Sequence, residues 1–173
     1  MSQNRTSLPL DLQKYLEQKK SPDFLIKKWF RFKKDECSKI FSLLHTFPLN
    51  QNKWAEILDF LHDISKRDQK SAIDLLLETL KEIESESGDL FAKTELLREN
   101  LKQKRYPRLV SKKEDFEKKL KELKLPKEVS CEPHPFFEND TIEIKIKAQE
   151  KTNLKKIFEE LSDKDWKGIF EVI

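Results

Sequence analysis

Apolar residues recur along most of this chain at helical spacing. Trp54, Ile57, Leu58, Leu61 and Ile64 stand at i, i+3, i+4, i+7 and i+10, which sets all five on one face and predicts a helix capped by Asn50 or Asn52. Ile73, Leu76, Leu77, Leu80 and Ile83 repeat the pattern behind a capping Ser71. Three shorter stripes precede these. Leu10, Leu12 and Tyr15 or Leu16 follow Pro9; Phe24, Leu25, Trp29 and Phe30 follow Ser21-Pro22, which reads as an N-cap with proline at the first helical position. Cys37, Ile40, Phe41, Leu44 and Phe47 predict a helix over residues 34–47, stopped by Pro48. Segments this short imply small helices packed antiparallel.

After residue 84 the pattern loosens. The run Ser-Glu-Ser-Gly-Asp at 85–89 is the best linker candidate, and a helix over 90–103 with Leu97 and Leu101 as anchors should end before Pro107. Ser111-Lys-Lys-Glu114 matches a capping box and predicts a helix from residue 112 with Phe116, Leu120 and Leu123 inward. Beyond Leu125-Pro126, Val129 to Cys131 suits a short strand, while Pro133 and Pro135 cannot donate to a ladder. Glu138-Asn139-Asp140 supplies turn chemistry before a strand over 141–148, where Ile142, Ile144 and Ile146 should face the core and Glu143, Lys145 and Lys147 the outside. A helix over 151–161 buries Leu154, Ile157, Phe158 and Leu161; Asp163 caps a tail helix holding Trp166, Ile169 and Phe170. Of Phe136 and Phe137, one should close the end of the sheet and the other cover a helix or a dimer partner.

These elements predict a mainly α chain with a small α+β C-terminal unit. A short-helix bundle (1–87) is followed by a connecting helix and basic linker (88–110) and an α-β-β-α unit with a tail helix (111–173). Two strands alone are marginal in water. Pairing the free edge with a second copy would relieve that, so a homodimer is expected.

Charged residues make up 39% of the 173, yet 12 Phe and 3 Trp suffice to fill an interior. The net charge of +3 is too small to imply a polyanionic partner. Its distribution is more informative: residues 102–127 hold eleven basic side chains against four acidic, a local excess of +7. Arg105, Arg108, Lys112 and Lys113, joined by Lys145 and Lys147 on the outer face of the strand, are therefore candidates for contact with DNA phosphates. Tyr106 is read as a packed wedge rather than a base-stacking platform.

Other chemistries find little footing. Cys37 and Cys131 have no paired spacing, which favours a reducing, cytoplasmic setting. No apolar run has the length to cross a bilayer. Cys131-x-x-His134 is half of a zinc pattern without a second half, so no metal is expected. With only Gly88 and Gly168 the chain cannot build a glycine-rich nucleotide loop. No catalytic constellation appears, and the expectation is a protein that is not an enzyme and has no cofactor or small-molecule substrate.

The motif RYPRL, a helix holding Phe116, then LKLPKEV and HPFFENDTIEIKI, resembles the C-terminal region of a divergent branch of the ParB-like chromosome-partitioning proteins. LPLDLQKYLEQKKSPDFLIKKW and LNQNKWAEILDFLHDISKRD resemble the helices that follow the DNA-reading module there. The resemblance implies a dimer formed through the α-β-β-α unit, with DNA contact through lysines independent of sequence and a nucleoid-associated location. The arginine-containing phosphate motifs of the CTP-binding domain, and a convincing helix-turn-helix reader, have no counterpart in the residues given. The expected role is a ParB-like accessory that dimerises and binds DNA weakly; the alternative is an interaction module that pairs with a ParB-like partner without touching DNA.

Overall fold

The computed structural model of the chain describes residues 8–137 and 139–173, except the side chains of 151 and 152. It is mainly helical with one two-stranded antiparallel sheet, and it divides into two compact units, Met1–Arg105 and Tyr106–Ile173.

The first unit contains α1 (Leu10–Gln18), α2 (Asp23–Trp29), α3 (Lys34–Leu44), α4 (Gln51–Asp68), α5 (Ala72–Glu84) and α6 (Leu90–Arg105). Helix α4 is its axis. The side chains of Trp54, Ile57, Leu58, Leu61 and Ile64 are sealed from solvent, and α2, α5 and α6 pack against them. Asn50 caps α4 by accepting from the Lys53 amide at 2.9 Å, and Ser71 caps α5 by accepting from Ile73 at 3.2 Å. At the margin of this core α4 is tied to its neighbours by charge. Asp59 accepts from Lys28 at 2.6 Å and Arg31 at 2.8 Å, and Glu56 accepts from Arg98 at 2.7 Å. Buried Thr79 and Thr94 satisfy their hydroxyls on the carbonyls four residues back, Leu75 and Leu90.

Several local expectations are corrected. Ser21 does not cap α2: Pro22 occupies that position, makes no side-chain cap, and leaves the Ser21 hydroxyl enclosed without a partner among the described residues. Phe24 and Leu77 are exposed, while Ile26, Leu75 and Thr79 fill the interior, so the buried face of each helix differs from the predicted stripe. Helix α3 ends at Leu44 rather than Phe47. The run 85–89 is a tight turn inside the first unit rather than a domain linker; Gly88 is needed there, since at φ +149° an added Cβ would lie 3.0 Å from that of Ala92. Helix α6 belongs to the first unit through buried Leu97 and Leu101.

The second unit contains α7 (Pro107–Leu123), β1 (Val129–Pro133), β2 (Ile142–Ile146), α8 (Lys151–Ser162) and α9 (Lys167–Phe170). Pro107 does not merely end α6. It starts α7 at the first helical position, with Tyr106 as the one residue between the helices, so Ser111 lies inside α7 and its capping box goes unused. Asp163 closes α8, and Asp165, not Asp163, accepts from the Lys167 amide at the start of α9. The strands pair with Val129 opposite Ile146, Cys131 opposite Ile144 and Pro133 opposite Ile142. Two small clusters cover one face of this hairpin: Phe116, Cys131 and Ile169 with Phe137 and Ile142, and Val129, Ile157 and Leu161 with Ile146.

Replacing a sealed α4 side chain should be costly. Leu61→Ala is expected to lower the stability of the first unit by about 2–5 kcal/mol, whereas Leu10→Ala, at a position 63% exposed, should change it by less than about 0.5 kcal/mol. Urea denaturation followed by circular dichroism reads both.

Candidate functional site

Backbone geometry singles out β2. The Lys147 amide donates to Glu128 at 2.8 Å, and the His134 amide donates to Thr141 at 3.4 Å, so the odd-numbered residues of this strand turn their peptide groups toward β1. Peptide groups alternate in direction along a strand. Those of Ile142, Ile144 and Ile146 therefore point away from β1, and among the described residues no third strand receives them. The opposite edge is blocked: on β1 the outward positions are Val129, whose amide is taken by Pro126 at 3.0 Å, Cys131, and Pro133, which has no amide hydrogen.

The isoleucines take the predicted face but not the predicted burial. Ile142 and Ile146 are half-buried at the two clusters, and Ile144 between them is 39% exposed. Three short helices do not cover the middle of β2, so Ile144 is a surface residue. Phe158, expected inside, is 54% exposed; Phe136, expected with Phe137 to close the sheet or to cover a helix or a dimer partner, is 62% exposed, and Phe170 is exposed as well. Ile157 is buried as expected, Leu154 is half-buried, and Phe137 packs edge-on against Phe116 at 6.2 Å between ring centroids. Phe137 holds φ at +50°, a left-handed conformation uncommon for an aromatic residue.

On the outer face Glu132 and Glu143 stand directly opposite each other, and the Lys145 ammonium bridges them at 2.8 and 3.6 Å. The hydrogen bond to Glu132, with the charge of both carboxylates, raises the Lys145 pKa and keeps it protonated.

Of the predicted DNA-contact residues, one falls in the first unit and five in the second. Arg105 lies in the first unit, paired with Asp63 at 2.5 Å and set 5.3 Å above the Phe60 ring. Its neighbours Lys102 and Lys104 have carboxylate partners in Glu99 and Glu82. Of the others, Lys112 donates to the carbonyl of Ile173 at 3.1 Å and sits 5.6 Å over Phe137, and Lys145 is neutralised as described. Arg108, Lys113 and Lys147 are exposed.

Neither thiol is poised for chemistry. Burial pushes the Cys37 pKa up to about 12, and its Sγ donates to the Trp29 carbonyl at 3.2 Å; burial raises Cys131 too. Among the described residues no group of three or more His, Cys, Asp or Glu side chains is placed to hold a metal ion. Set against known protein families, curated proteins and solved structures, the chain matches none.

Because Cys37 is held neutral in the folded state, its contribution to stability is complete below the unfolded pKa of about 8.5 and is lost as pH rises toward 12. Between pH 8 and 10.5 the wild type should lose stability more steeply than Cys37→Ala, by up to about 1.4 kcal/mol per pH unit. Parallel slopes in denaturant titrations would contradict this.

Proposed function

We propose that the chain is a non-enzymatic interaction protein that homodimerises through β2 of its second unit, as its ParB-like resemblance implies. What carries the reading is the self-complementarity of the free edge. A two-fold axis at Ile144 sets Ile144 against its own copy and Ile142 against Ile146, and every outward peptide group then finds a partner. The same operation sets Glu143 opposite Lys145 of the second copy, twice, so side-chain charge and backbone pairing require one register. Exposed Ile144 gains cover from its copy.

Weak, sequence-independent DNA contact by that dimer is the second reading, favoured by the exposure of Arg108, Lys113 and Lys147. It has less support than the dimer, since Lys102, Lys104, Arg105 and Lys145 already have carboxylate partners.

Charge exchange tests the register. Glu143→Lys alone, or Lys145→Glu alone, sets like charges against each other at two places and should weaken the dimer about 10-fold or more. An equimolar mixture of the two variants should recover it as a heterodimer, because the lysines of one face the glutamates of the other. Sedimentation velocity reads all three samples, with circular dichroism to confirm folding; a wild type that stays monomeric at about 100 μM would overturn the proposal. For DNA, Arg108→Glu with Lys113→Glu should reduce low-salt anisotropy binding equally on unrelated duplexes while leaving the dimer intact. A wild type silent toward DNA leaves protein association as the sole role.

A further inference from the structure

The first unit carries a cleft that neither the resemblance nor the proposed dimer uses. It has a volume of about 420 Å³ and lies where the end of α1 meets the segment joining α3 to α4. Tyr15, Leu25, Phe47 and Trp54 give it apolar and aromatic walls, with Lys19 and His45 also lining it. That size and composition match sites that hold small organic ligands, where apolar walls supply affinity and a few polar groups fix orientation.

Ring packing and hydrogen bonds hold the walls. Tyr15 packs on Phe41 at 5.2 Å and on Trp54 at 6.2 Å, and Trp54 packs on Trp29 at 5.3 Å. The Trp54 indole N–H donates to the Tyr15 oxygen at 3.0 Å. That bond occupies one acceptor position of the phenol and leaves its O–H to donate elsewhere. The opposite rim is tied by the Gln51 side-chain amide, which donates to the Lys19 carbonyl at 3.0 Å.

Polarity in the cleft runs one way. Among the described residues no carboxylate lines it. Lys19 brings a full positive charge and makes no ion pair among them. The His45 Nδ1 lies 2.9 Å from the Ser42 carbonyl, which accepts its hydrogen. Ser21, whose enclosed hydroxyl has no partner, forms a wall common to this cleft and to a smaller one of about 190 Å³ beside it.

We infer that this cleft binds a small aromatic carboxylate, its ring against Tyr15 and Phe47 and its carboxylate toward Lys19. The ring gains apolar burial, and the carboxylate meets a cation and donors in a cleft that no carboxylate lines among the described residues. An uncharged analogue of the same shape keeps only the first of these.

Phenylacetate and phenylacetamide are the probes, titrated into the full ¹⁵N-labelled chain. Phenylacetate should give saturable shifts at the amides of Lys19, Ser21 and Gln51 and at the Trp54 indole, with a dissociation constant near about 1 mM. Phenylacetamide should bind at least about 5-fold more weakly. Lys19→Gln, at an exposed position, should weaken phenylacetate by a similar factor and leave phenylacetamide unchanged. Three results would each overturn the inference: no saturable shift up to about 20 mM, shifts centred away from the cleft, or equal binding of acid and amide with no effect of Lys19→Gln.

Discussion

A missing amide hydrogen organises this chain. Pro107 cannot donate to the carbonyl four residues back, and its ring excludes the helical conformation from the residue before it, so one helical stretch becomes two. Helix α6 must end at Arg105, and the first unit secures that end in both directions. The Arg67 guanidinium donates from α4 to the carbonyls of Lys104 and Arg105 at 2.8 and 2.9 Å, while the Arg105 side chain reaches back to Asp63 and Phe60. Terminal carbonyls that α7 would otherwise have satisfied are thus met by a cation at the negative pole of α6. The same break divides the basic stretch. Three of its cations lie in the first unit and go to carboxylates there.

Why some of this was legible in sequence and some was not follows from range. The α4 stripe could be read because its period is strict and its residues are large; local pattern and burial agree there, with Trp54 and Leu61 both sealed. Asn50 and Ser71 could be read because a cap is made within three residues. The Ser111 box failed although its letters fit, since Pro107 had already nucleated the helix four residues earlier and an N-cap has nothing to do inside one. Gly88 misled in a similar way: a glycine between polar residues marks a turn, but the sequence does not say whether the turn joins domains or, as here, lets α5 and α6 fold back into one core.

The site was half legible for a related reason. Alternation gave the face of Ile142, Ile144 and Ile146, because side-chain direction is a property of the strand alone. Burial depends on what covers the face, and no local pattern reports that α8 and α9 leave Ile144 uncovered. The bridging of Glu132 and Glu143 by Lys145 was likewise beyond reach until the register was known, because it is the register that sets those carboxylates face to face. The cleft of the first unit is the extreme case. Tyr15, Lys19, His45 and Trp54 come from two helices and two turns, share no spacing, and meet only through tertiary packing.

The two units differ in how completely they satisfy themselves. The first buries a continuous core across six helices and ties α4 to its neighbours by ion pairs. The second has the chain length at which a single core is marginal, and divides even that between two small clusters. It leaves Phe136, Ile144, Phe158 and Phe170 at the surface, and it leaves one strand edge unpaired. Apolar surface and unmet peptide groups on one small body are what association removes, and both losses are repaired at once only by a partner that brings a strand. An edge whose outward residues read Ile, Ile, Ile and whose flanking charges reverse sign about the central one offers that strand from its own copy. In the proposed dimer that second copy completes the second unit, while the first stands as a folded body with an open cleft of its own.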